Sequence, residues 1–144
     1  MVLFTVYIVL LIYFLFFSEG YRRCAQEERI YHYNLKLFTE IQRFWIYREQ
    51  LGIRAFVTNV LGNVAGFVPY GFIFPIISSR MRSFWLILLS GLLISLTVET
   101  IQLLTRVGSF DVDDLFLNTL GVAVGCMAFS ICDRIRRQIY GKKV

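Results

Sequence analysis

Four apolar runs, each close to the length that crosses a bilayer, limit what this chain can become more than anything else in it. They cover residues 2–17, 55–77, 83–105 and 114–132, and the last two each admit a single carboxylate. About twenty apolar residues in helical geometry match the roughly 30 Å hydrocarbon layer. Apolar residues make up 57% of the chain and aromatics 17%, well above the share in soluble domains. An all-α integral membrane protein follows: a four-helix transmembrane bundle, with an interfacial amphipathic helix between the first two spans. The 144 residues amount to one domain.

The first run lacks the basic start and small-residue cleavage site of a secretory signal. Ser18-Glu-Gly-Tyr-Arg-Arg follows it, so it reads as a retained helix. Residues 18–54 are the only long extramembrane segment. From Asn34 onward, Leu35, Phe38, Ile41 and Trp45 recur at helical spacing, with Lys36, Glu40 and Arg43 turned elsewhere. Lys36 and Glu40 stand at the spacing of an i,i+4 pair. Such a helix lies in the interface or caps the bundle. In the second run, Asn59 and Asn63 share a face, Gly62-x-x-x-Gly66 permits close helix approach, and Pro69-Tyr-Gly71 marks a kink.

The net charge of +5 does not call for nucleic acid. Seven of the fifteen Lys/Arg lie in residues 18–54 among five Glu, and five more lie in the last eleven residues. These are flanks for phospholipid headgroups. Four spans put both termini on one side, with Arg80 and Arg82 in the turn between spans two and three. Short loops and helix ends carry most weight in the positive-inside rule, which places both termini in the cytoplasm. Cys24, Cys126 and Cys132 give no disulfide framework and read as small apolar fillers. With His32 as the sole histidine, no metal-ligand spacing exists, and no cofactor is implied.

The polar interruptions of the apolar runs all fall at one end of the bundle. Asn59 and Asn63 lie in the half of span two nearest the long segment. Ser95, Glu99, Gln102 and Arg106 step along one face of span three toward the same end. Asp111, Asp113, Asp114 and Asn118 lie in the loop that follows and in the start of span four. Gly121 and Gly125 should let span four pack closely on span three. Asp111, or else Asp113 or Asp114, would cap the last helix. Interhelical hydrogen bonding alone explains such residues at roughly 0.6–2 kcal/mol each. Glu99 asks for more, because a charge at a membrane helix centre costs about 2.5–3.5 kcal/mol. It calls for a wet cavity or a cation, with Arg106 the nearest. The candidate ligand-binding set is Asn59, Asn63, Glu99, Gln102, Arg106, Asp111, Asp114 and Asn118.

At these residues the sequence resembles the VanZ-like family of small bacterial membrane proteins. The pattern is Asn59-x-x-Gly62-Asn63-x-x-x-Phe67-x-Pro69-x-Gly71, then Glu99-x-x-Gln102. It continues as Ser109-Phe-Asp111-Val-Asp113-Asp114-x-x-x-Asn118-Thr-Leu-Gly121-x-x-x-Gly125, and extends weakly to Asn34-Leu-Lys-Leu-Phe38. The likeness covers residues 34–132. Many relatives carry Arg just before the Ser/Val-Phe-Asp, where this chain has Gly108, with Arg106 two residues earlier. The resemblance implies a cell-envelope role in the bacterial plasma membrane, of the kind associated with resistance to the lipoglycopeptide teicoplanin.

The first functional reading is binding of an amphiphile at the outer leaflet, either a lipoglycopeptide antibiotic or a lipid-linked wall precursor, among membrane lipids. The second is a membrane-embedded enzyme acting on a lipid-linked substrate, with Glu99 and Asp111 or Asp114 as acid–base pair or cation ligands. No Ser–His or Cys–His pair offers a nucleophile, so this ranks below binding. A transporter ranks last, because no inverted repeat or midplane charge pair is present. A scaffold for envelope enzymes is a further reading.

Overall fold

A computed structural model describes residues 4–13, 33–47, 53–106 and 109–141. The chain is mostly helical. Helix α1 (Phe4–Tyr13) is short and apolar. A two-residue strand β1 (Tyr33–Asn34) and the eight-residue helix α2 (Thr39–Ile46) follow. Helix α3 (Ile53–Ile77), a 3₁₀ turn (Ser79–Arg82) and helix α4 (Phe84–Thr105) come next. Strand β2 (Phe110–Asp111) leads directly into helix α5 (Val112–Tyr140).

Three helices are long and apolar enough to cross a membrane: Asn59–Ile77 within α3, then α4 and α5. The ten described residues of α1 reach about 15 Å at the helical rise, half a hydrocarbon core. The remainder of the expected first span, with Cys24 and His32, lies outside the described residues. Helix α5 runs two turns past the apolar stretch that ends at Cys132. There Asp133 holds Arg136 at 3.2 Å and also pairs with Arg137, and Gly141 closes the helix at φ 64° by donating to the Arg137 carbonyl.

Glycines decide how the long helices pack. A Cβ on Gly121 would run into the Val64 carbonyl oxygen, and one on Gly125 into that of Val68. A Cβ on Gly71 would meet the Val122 carbonyl in return. Val64 pairs with Gly121, Val68 with Gly125, and the Phe72 ring meets Phe129 edge-on. The numbers rise together, so α3 and α5 run parallel, backbone against backbone. This corrects the expectation that Gly121 and Gly125 pack on the preceding span. That span, α4, comes against the Val122 side chain through Gly91. Gly66 of the first GxxxG faces Leu11 of α1 among the described residues.

Helix α1 lies antiparallel on α3. Phe4 meets Phe74, Leu11 lies against Gly66, and the Tyr7 hydroxyl donates to the Gly66 carbonyl at 2.7 Å. Pro69 and Pro75 sit inside α3. Each removes a backbone donor, and α3 is helical throughout, across the Pro69-Tyr-Gly71 stretch where the sequence marks a kink. Packed neighbours make proline tolerable in membrane helices. Tyr70 also donates to Ser90 of α4 at 3.1 Å. The start of α1 and the end of α5 thus share a side with the Arg80/Arg82 turn, and the strands and α2 occupy the other.

Gly121→Ala and Gly125→Ala should each lower the stability of the bundle by about 1–3 kcal/mol, the usual cost of overpacking. Gly66→Ala, which meets a movable methyl of Leu11 at 3.3 Å, should be nearly neutral. Melting of the three variants in detergent checks the ranking.

Candidate functional site

The buried face of α4 carries the polar groups. Ser95, Glu99 and Gln102 are all buried, and Glu99 is only 2% exposed. Counting back from Thr105, Glu99 lies about 9 Å and Ser95 about 15 Å into the helix, the latter near its midpoint. Beyond α4 the chain turns back inward, so that β2 and the start of α5 lie beside Glu99 rather than above the helix end. The Asp111 backbone N–H donates to Glu99 Oε2 at 3.1 Å. Irregular backbone at this depth needs a partner within the protein, and Glu99 supplies it.

The next acceptors repeat the arrangement. Asp111 is the N-cap of α5, its Oδ1 taking the Asp113 N–H at 2.8 Å, as one of the expected caps. The same oxygen accepts from Asn34 Nδ2 at 3.3 Å. Strand β1 pairs in parallel with β2, Asn34 opposite Asp111. Asp113, 1% exposed, reaches across to α2. Its Oδ1 accepts the Phe38 N–H and its Oδ2 the Ile41 N–H at 3.2 Å. Phe38 is the N-cap of α2 in the left-handed region, φ 67°, and makes no side-chain cap bond. The cap comes instead from another helix, seventy-five residues away, and the carboxylate also meets the positive end of the α2 dipole. Phe38 packs edge-on against Phe116 beside this contact.

Helix α2 therefore starts at Thr39, not at Asn34. The residues before it form a turn in which the Lys36 N–H donates to Asn34 Oδ1 and Thr39 Oγ1 donates to the Lys36 carbonyl. Lys36 precedes the helix, so it and Glu40 do not share a helix as the expected i,i+4 pair supposed.

The remaining polar groups tie α5 to both neighbours. Asn63 of α3 donates to Asp114 Oδ1, and Asn118 Nδ2 donates to Ser95 Oγ at 2.9 Å. Asn59, half-buried one turn from Asn63, has no hydrogen-bond partner among the described residues. Arg106 is exposed at the C-cap of α4, in the left-handed region at φ 55°, about 10 Å along the helix from Glu99. Asn59, Asn63, Glu99, Gln102, Asp111 and Asp114 thus lie toward one end of the bundle, with Asn118 one turn deeper beside Ser95. Among the described residues, no three His, Cys, Asp or Glu side chains are grouped to hold a metal ion.

A family model described as VanZ/LLP1 matches residues 4–133. The chain belongs to the VanZ/LLP1 family. No curated protein and no solved structure matches it. The VanZ/LLP1 match takes in every described element except the last turns of α5. It thus includes three residues that the sequence reading left outside the ligand set and that the fold uses: Asn34, Ser95 and Asp113. Only the weak Asn34–Phe38 similarity hinted at the first. Ser95 shares the Glu99 face, and Asp113 belongs to the polar end and to the Ser109–Gly125 motif, with capping of its own helix as the one role the sequence suggests for it.

Asp113→Ala should release the start of α2 in this VanZ-like protein. The loss of a cap costs about 1 kcal/mol. Hydrogen exchange should quicken at the amides of residues 38–41 while the α3–α5 interface keeps its protection. Asp113→Asn, which retains one acceptor, should fall between.

Proposed function

We propose that this VanZ-like membrane protein binds an amphiphile at the outer leaflet of the bacterial plasma membrane, with both termini in the cytoplasm. The observation that carries the reading is the half-buried set Asn59, Asn63 and Asp114, at the polar end where α2 packs. Glu99, Asp111 and Asp113 each hold a backbone N–H, whereas Asn59 has no hydrogen-bond partner among the described residues. Helix α2 presents Trp45, Ile46 and Tyr47 outward, Trp45 being 60% exposed, next to exposed Arg43. Aromatic and basic residues together suit the headgroup layer, and α2 lies there beside the site. The ligand class is a lipoglycopeptide of the teicoplanin type or a lipid-linked wall precursor, whose amides and hydroxyls suit carboxamide and carboxylate partners. The teicoplanin-resistance association of the family supports this reading. An acid–base role for Glu99 and Asp111 fits less well, because both carboxylates are spent on holding the chain reversal.

Asn59→Ala should weaken binding of a fluorescent lipoglycopeptide, or of a lipid-linked precursor, to the protein in nanodiscs. The loss should be about 1 kcal/mol, the worth of one hydrogen bond, with unchanged melting. Susceptibility of expressing cells to teicoplanin should rise in parallel. Unchanged binding and protection in both Asn59→Ala and Asn63→Ala, at normal expression, would reject the site. A reporter fused after Val144 should be active in the cytoplasm; activity only outside would reverse the orientation.

A further inference from the structure

Deep in the bundle, one polar pair is left incomplete. Ser95 and Asn118 are both 0% exposed, near the midpoint of α4. Asn118 Nδ2 donates to Ser95 Oγ, but Asn118 Oδ1 is buried without a hydrogen-bond partner. The Ser95 hydroxyl proton also lacks an acceptor among the described residues. Elsewhere, Ser90, Thr97, Thr100, Thr105, Thr119 and Ser130 each donate to a carbonyl three or four residues earlier. Ser95 does not.

One end of this buried amide therefore lacks a partner among the described residues, in a layer where no bulk water reaches. Buried polar atoms in folded proteins are satisfied almost without exception, by protein or by ordered water. A single water both donates and accepts, as a site with an open hydroxyl proton and an open amide oxygen requires. One turn toward the polar end, on the same face of α4, stands the Glu99 carboxylate, so the pair lies at the inner end of a polar seam.

We propose that Ser95 and Asn118 hold an internal water molecule between α4 and α5, near the middle of the membrane. It accepts from the Ser95 hydroxyl and donates to Asn118 Oδ1. The site lies one turn deeper along α5 than Asp114, and it does not depend on the amphiphile reading, which rests on Asn59, Asn63 and Asp114.

Radiolytic hydroxyl labelling of the protein in lipid nanodiscs tests this. Radicals formed from a bound water oxidise only the side chains beside it. Val122 is 0% exposed and one turn from Asn118; Val98 is nearly as well buried and one turn from Ser95. Both should be labelled in the natural chain. Ile87, also 0% exposed and two turns from Ser95, should remain at background. In the combined Ser95→Ala, Asn118→Leu variant, the Val122 label should be lost. Val122 and Val98 labelled no more than Ile87 in the natural chain would overturn the proposal, as would a label that persists in the folded variant. Should the variant not fold, the comparison with Ile87 in the natural chain decides by itself.

Discussion

Backbone amides placed below the membrane surface must be met by the protein itself, and the polar end of this bundle is built around that demand. The reversal after α4 does not stay outside the helices but descends beside Glu99. Each carboxylate along it then satisfies the amide of the next element: Glu99 that of Asp111, Asp111 that of Asp113, and Asp113 two at the start of α2. Four carboxylates so close together would repel one another in an unpatterned loop. Here three of them are directed at N–H groups and helix ends, where negative charge is favoured.

The glycine seam explains how α5 reaches both partners. Gly121 and Gly125 bring its backbone onto α3, so the Asn63–Asp114 bond forms within the thickness of two bare helices. The adjoining face of α5 meets α4, with Asn118 on Ser95 and Val122 on Gly91. Polar groups from α3 and α4 are thus held along neighbouring faces of one helix. Helix α2 adds a further cover, fixed at its start by Asp113 and the short β1–β2 ladder.

The three long apolar helices are legible in the sequence because hydropathy and helical period act over many residues. Helix α3 begins two residues before its apolar run and α4 one residue inside, ordinary fraying of such boundaries. What could not be read is tertiary. A two-residue ladder carries no periodic signal, and Asp113 looked like a cap for its own helix because nothing local shows that its oxygens reach Phe38 and Ile41. The choice of α3 over α4 as partner of Gly121 and Gly125 was equally hidden. Two glycines four apart announce a close approach without naming the helix that approaches. Glu99 was marked by its cost, but its use as an acceptor for the chain reversal depends on a descent that follows α4 by only a few residues.

The parallel pairing of α3 and α5 bears on how the protein is made. Two parallel neighbours cannot come from one hairpin, so the tightest interface in the molecule joins segments separated by the whole of α4. During synthesis α3 enters the membrane with its Gly71 groove unfilled. Helix α4 then covers only part of it through Tyr70 and Ser90. The groove closes when the last helix arrives, and only then do Asn63 and Ser95 receive their partners on α5. A nascent chain stopped before residue 112 would hold two of the three long spans and the polar groups of α3 and α4, but not Asp113, Asp114 or Asn118. Assembly of the candidate site is therefore the final event of membrane insertion.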